Sequence, residues 1–215
     1  MRGMDVVVAG GHGKIGIRLL RLLAERGHRA RGLVRNPDHA TDLEAVGGEA
    51  VVCDIEALDD IAACCGGADA VVFAAGAGPG SGPERKQTVD YGGAVKLIDA
   101  ARKNGIGRYV IVSSIRADRP EEWSDEMRPY FEAKAGADAR LVESGLDYTI
   151  VRPGYLTDDP GTGRVAVGTQ LEAGEIPRDD VAAALVAVLE TPSSVGKTFE
   201  LVGGDVPVDE AVRRL

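Results

Sequence analysis

The sequence predicts an α/β fold with a doubly wound parallel sheet, and three observations carry that prediction. Short apolar, β-rich runs alternate with helix-period stretches almost to the end of the chain. Several of the helical stretches close on a glycine suited to a left-handed C-cap. A cluster of glycines sits between the first apolar run and the first helical stretch, where an open α/β sheet places its ligand loop.

The predicted strands are Asp5–Ala9, Ala30–Val34, Ala50–Val52, Ala70–Ala74, Tyr109–Val112 and Tyr148–Val151. They lack strict alternation, as strands buried on both faces do. Between them lie helix-period stretches at Lys14–Arg26, Ala57–Cys65, Arg85–Lys103 and Tyr130–Ser144, and a last amphipathic helix over Val181–Leu189. Gly27, Gly105 and Gly145 mark helix ends, and Arg178-Asp179-Asp180 reads as an N-terminal cap of the last helix. Two Gly/Pro-rich stretches, Gly76–Pro83 and Pro153–Gly163, follow the fourth and sixth strands, at the carboxyl ends where ligands bind.

At 215 residues the chain suits one domain with a full core. A net charge of −9 weighs against non-specific nucleic-acid binding. The N-terminal apolar run is too short to span a bilayer, so no membrane partner and a cytoplasmic location are expected. Cys53, Cys64 and Cys65 have no CxxC spacing, and His12, His28 and His39 are scattered, so buried reduced thiols and no metal site are expected. Asp158-Asp159 in a Pro/Gly loop reads as solvated rather than metal-binding.

The stretch Gly10-Gly11-His12-Gly13-Lys14-Ile15-Gly16 follows a strand and opens a helix. A dinucleotide pyrophosphate needs such a place, with no Cβ in its way and N–H donors at a helix N-terminus. His12 and Lys14 lie on this loop, where they face phosphate oxygens or solvent. An acidic residue at the end of the second strand would hold the ribose hydroxyls of NAD. The chain instead has Leu33-Val34-Arg35-Asn36. Arg35 can pair with the 2′-phosphate of NADP, with Arg31 on the same strand, so NADP(H) is expected over NAD(H). Asp54 is placed either to accept from the adenine amino group or to cap a helix, with Ile55 beside it.

The segments VVVAGGHGKIG, VVFAAGAG, YVIVSS and LDYTIVRPG together resemble the short-chain dehydrogenase/reductase superfamily. Among its small atypical members, the chain is similar to the biliverdin-IXβ (flavin) reductase-like and NmrA-like NAD(P)-binding proteins, from Val6 to about Val202. The resemblance implies a Rossmann-like domain over 1–215, with residues 153–177 and 191–215 forming a small C-terminal substrate lobe. It places Ala74, Ala75 and Gly76 along the cofactor's ribose and phosphates, Ser113 and Ser114 beside the nicotinamide, and Pro153, Gly154 and Tyr155 over that end.

The superfamily's Tyr-x-x-x-Lys device maps onto Tyr130 and Lys134, with Ser114 or Ser113 as the serine. Residues four apart share a helix face. A lysine there would bind ribose hydroxyls and favour a phenolate, while the tyrosine passes a proton and the serine holds the same substrate oxygen. The alternative for Tyr130 is a half-packed surface residue, and for Trp123 a helix anchor rather than a pocket lid. Two functions follow: an NADP(H)-dependent oxidoreductase acting on a small carbonyl, quinone or flavin-like acceptor, or a non-catalytic NADP(H) sensor of NmrA-like type. The small-molecule substrate is not specified by these residues, and the oligomeric state is open.

Overall fold

Val6, Val7, Val8 and Ala9 are buried on both sides because they form an interior strand of a sheet with helices on each face. In the computed structural model, which describes residues 3–78 and 80–215, this strand, β1 (Asp5–Ala9), lies between two parallel neighbours. Pro79, within the expected Gly76–Pro83 stretch, lies outside the described residues.

The chain continues through α1 (Lys14–Glu25), β2 (Arg29–Val34), α2 (Ala40–Glu44), β3 (Glu49–Val52), α3 (Ala62–Cys65) and β4 (Ala70–Phe73). A helix begins as α4 (Pro83–Arg85), widens into a π-helical segment over Lys86–Gly93 and runs on as α5 (Ala94–Lys103). Then follow β5 (Arg108–Val112), α6 (Arg128–Val142), β6 (Asp147–Pro153), β7 (Tyr155–Thr157), β8 (Arg164–Gly168), β9 (Glu175–Pro177), α7 (Arg178–Glu190), β10 (Lys197–Gly203), β11 (Val206–Pro207) and α8 (Val208–Arg213).

The main sheet has the order β11-β8-β10-β6-β5-β4-β1-β2-β3. From β3 to β10 every pairing is parallel, while β8 runs antiparallel to β10 and to β11. One core packs Val6 and Val8 against α1, α7 and α8; the other packs Val7 and Ala9 against α3, α5 and α6. Strand order reverses between β1 and β4, so the crevice outside their carboxyl ends is the topological switch point.

All six predicted strands form, each within two residues of its expected bounds. Gly27, Gly105 and Gly145 end their helices with φ of 79°, 67° and 77°. The stretch Ala57–Cys65 is helical only from Ala62, because Asp54 Oδ1 draws the Glu56 and Ala57 N–H groups into a turn first. Of the segments expected to form a C-terminal lobe, β8, β10 and β11 join the main sheet, and only β7 and β9 pair apart from it. Asp179 and Asp180 do not cap α7 through their side chains. Asp180 instead accepts from the Thr162 and Gly163 N–H groups, and Asp179 from Arg18 and Gly161.

Two expectations about side chains are corrected. Cys53 and Cys64 are joined in a disulfide rather than reduced, since the turn after β3 returns Cys64 to the end of that strand. Cys65 is free, and burial pushes its thiol up to about 11. Arg31 does not face a cofactor: it is 7% exposed, with Nε 2.7 Å from Asp5 Oδ1 and a terminal nitrogen on the Gly66 carbonyl. Breaking that pair leaves Asp5 to Arg29 alone. Arg31→Ala should therefore lower the unfolding free energy by about 2 kcal/mol in urea titration, and leave nucleotide preference unchanged.

Candidate dinucleotide site

The glycine loop is shaped first by contacts within the protein. Gly10 has φ +83°, and a Cβ there would lie 2.7 Å from the Ala75 Cα at the end of β4. A Cβ on Gly16 would lie 2.1 Å from the Gly10 carbonyl oxygen, so the first turn of α1 can seat against the loop only through glycine. Gly13 differs: its Cβ would meet only the Gly10 oxygen, at 3.0 Å, and the residue is exposed as the N-cap of α1 with no side-chain cap. The helix N-terminus is thus left open to a ligand.

Beside this loop lies a cleft of about 290 Å³ at the switch point. Gly10, His12 and Gly13 line it from β1, Arg35 from the end of β2, Asp54 and Ile55 from beyond β3, and Ala74, Ala75 and Gly76 from beyond β4. Nine of the sequence-predicted cofactor residues are thereby brought together. Arg35 is exposed there, while Asp54 Oδ1 is engaged in its own turn. Glu56 and Arg85 add a facing ion pair, and the Arg85 guanidinium with the Thr88 hydroxyl holds the Glu56 carboxyl below its ordinary range. Disulfide-bonded Cys53 and the ring of His39 complete the wall on this side.

The other predicted residues lie outside this cleft. Ile15 and Gly16 are buried in the first turn of α1. Lys14 Nζ pairs with Asp158, which Arg178 also holds at 2.9 Å. The Asp158 loop is therefore an ion-paired contact with α1, not a purely solvated one. Pro153 ends β6, Gly154 packs tightly against the Gly174 carbonyl, and Tyr155 is 63% exposed.

After β5 and along the first half of α6, two of the residues expected at the catalytic centre are engaged in internal contacts. Lys134 is 4% exposed, with Nζ 3.3 Å from Asp90 Oδ1 and 3.2 Å from the Val112 carbonyl. Asp90 Oδ2 in turn accepts the Ala77 N–H at 3.0 Å, linking the lysine to the loop after β4. Asp90 sits in the π-helical segment, a feature frequent at functional sites. Ser113 points inward and donates to Asp138 at 2.9 Å, so its side chain does not face a nicotinamide. Burial pushes the Asp138 carboxyl up despite Arg152 beside it at 3.0 Å. Ser114 is half-buried, its Oγ 3.3 Å from the Ile115 carbonyl.

The Tyr130 ring is half-buried, with Lys86 Nζ 5.5 Å and Lys134 Nζ 5.8 Å from its centroid. Trp123 stacks on Phe131 and donates to the Arg116 carbonyl at 2.8 Å, anchoring the loop after β5. Arg116 holds φ +66°, and buried Glu200 ties its N–H to Arg119 and to the Leu171 N–H. Asp90, Asp138, Arg152 and Glu200 escaped the sequence reading. Asp90 carried a signal all the same, as a lone carboxylate in the apolar stripe from Val89 to Leu97.

Glycine loop, switch-point cleft and open helix N-terminus define an NAD(P)-binding protein with an atypical short-chain dehydrogenase/reductase-like Rossmann fold. The chain belongs to the NAD(P)H-binding family, whose pattern it matches over residues 10–192. It is 42% identical to the uncharacterized sugar epimerase YhfK of Bacillus subtilis, over 99% of this chain and all of that protein. Its structure is similar to that of an NAD-dependent epimerase/dehydratase candidate from Bacillus halodurans, at TM-score 0.95 and 39% identity over 99% of this chain and all of that one. It is also similar to ChuY, an anaerobillin reductase of Escherichia coli, at TM-score 0.78 and 28% identity over 94% of this chain and 98% of that one. No described helix is long and apolar enough to cross a membrane.

The two kinds of glycine separate experimentally. Gly16→Ala should destabilise the fold by about 2 kcal/mol or more and weaken nucleotide binding together. Gly13→Ala should leave thermal unfolding within a few degrees of wild type and weaken binding about tenfold or more, as read by nucleotide titration.

Proposed function

We propose that the chain is an NADP(H)-dependent oxidoreductase of the atypical short-chain dehydrogenase/reductase type, acting on a small carbonyl, quinone or flavin-like acceptor. The observation that carries this reading is exposed Arg35 in the cleft, where an NAD site would put a carboxylate, together with the Ala77–Asp90–Lys134 contacts that join the same cleft to the helix bearing Tyr130. The residues present fit a nicotinamide dinucleotide, because Gly13 leaves the helix N-terminus uncapped and Gly10 and Gly76 keep the strand ends bare.

When bound, the nicotinamide supplies or accepts a hydride. The Tyr130 hydroxyl donates the proton that the acceptor oxygen requires, with Lys134 one turn further along the same face of α6. The Ser114 hydroxyl, at the end of β5, donates a hydrogen bond to the same acceptor oxygen. Arg35 binds the 2′-phosphate, with the planar fork that matches phosphate. Lys134, held by Asp90, acts through its charge and through the Gly76–Ala77 loop.

A sugar epimerase, as the Bacillus subtilis relative is called, would need a lobe to hold a sugar bearing its carrier. Beyond Pro153 this chain gives most of its strands to the main sheet, leaving β7 and β9 as the separate part. The reductase description of ChuY accords better with that limited space. A non-catalytic NADP(H) sensor is the second reading, favoured by Lys134 and Ser113 being engaged in internal contacts.

Tyr130→Phe separates the readings, with NADPH oxidation assayed against quinone, flavin and carbonyl acceptors. For an oxidoreductase the variant should lose about 100-fold or more in kcat while its NADPH affinity stays within about twofold of wild type. Unchanged turnover would remove Tyr130 from the chemistry. NADPH binding without turnover on any acceptor would favour the sensor.

A further inference from the structure

We propose that His12 and His39, with Arg35, form a proton-linked site for the phosphate that distinguishes NADP from NAD. The inference rests on the NADP reading above and adds what sets the preference. His12 follows the glycine turn, and His39 ends the short 3₁₀ turn Pro37–His39 after β2. Their rings stack with centroids 3.7 Å apart and planes within 12°, and both line the cleft beside Arg35. The Nε2 of His12 lies 2.7 Å from Asp42 Oδ2, which fixes the ring in place.

The fixed charges around these rings leave a phosphate poorly served. Arg35 faces them from the end of β2 and Arg85 from α4, but Arg85 is held by Glu56 at 3.1 Å. Asp42 on α2, exposed Asp38 on the same turn as His39, and Asp54 and Glu56 after β3 are all carboxylates. Lys14, the first residue of α1, is paired with Asp158. With neutral imidazoles, acidic groups outnumber guanidinium groups at this rim. A phosphate ester is mostly dianionic at neutral pH, so its entry here calls for further positive charge. Imidazole is the side chain whose charge ordinarily changes in this range. Two stacked imidazolium rings repel each other, and a dianion between them and Arg35 removes that cost.

NADP therefore draws protons from solvent as it binds, and NAD does not. An arginine-only site has the opposite sign, because it favours the phosphate dianion and releases protons. Calorimetric titration with NADP+ and NAD+ near pH 7, in buffers of different ionisation enthalpy, reads that difference. Wild type should take up protons with NADP+ relative to NAD+, and its NADP+/NAD+ affinity ratio should fall about fivefold from pH 6.5 to 8.

The double variant His12→Gln, His39→Gln should lose both effects. His39→Arg, which supplies a permanent cation, should keep a high ratio at pH 8; it also guards against misfolding of the double variant. Proton release with NADP+, or an uptake unchanged in the double variant, would overturn the proposal. If NADP+ were still preferred and Arg35→Ala still removed that preference, the NADP reading would survive it. Equal binding of NAD+ and NADP+ at every pH, or binding of neither, would overturn both.

Discussion

The structure depends on one close approach: the first turn of α1 packed against the backbone of the loop that leaves β1. The Gly10 carbonyl oxygen occupies the space a Gly16 side chain would need, and Gly10 itself lies against Ala75 at the end of β4. This contact fixes where α1 begins, and so where its unsatisfied N–H groups point. It also holds the ends of β1 and β4 at the spacing that opens the switch-point crevice. The ends of β2 and β3 complete that crevice because they are the next strands in the sheet.

Beyond this point the site is organised by buried charge. Asp90 joins Lys134 to the loop after β4, Asp138 joins Ser113 to Arg152, and Arg152 reaches Asp118. Glu200 clamps the strained loop at Arg116. Breaking such a pair leaves an uncompensated charge indoors, which is destabilising by several kcal/mol as a rule. Lys134 thus belongs to a network that also supports the fold, and the catalytic role proposed for it would share that network. Tyr130, half-buried and with no side-chain hydrogen bond among the described residues, is the member of the Tyr130–Lys134 pair less tied to folding.

Much of the frame was legible in the sequence. Apolar runs buried on both faces, such as Val6–Ala9 and Ala70–Phe73, mark parallel strands without needing any tertiary knowledge. The glycine spacing marks the loop for the same reason, since its demand on backbone space is local. What escaped depends on partners distant in sequence. Arg31 and Arg35 look alike four residues apart, yet Asp5 takes one into the sheet and the strand end leaves the other in the cleft. Cys53 and Cys64 meet only because Asp54 starts a turn in a stretch with helical periodicity. The 191–215 segment carries strand-forming residues, but nothing local says that β10 lies beside β6.

The most direct test of this account is a crystal structure of the protein with NADP+ bound. The pyrophosphate should lie against the N–H groups at the start of α1, with the adenosine between Arg35 and the Asp54–Ile55 segment and the nicotinamide toward Ser114 and Tyr130. A nucleotide bound elsewhere, or lying in the cleft with its pyrophosphate away from α1, would contradict it.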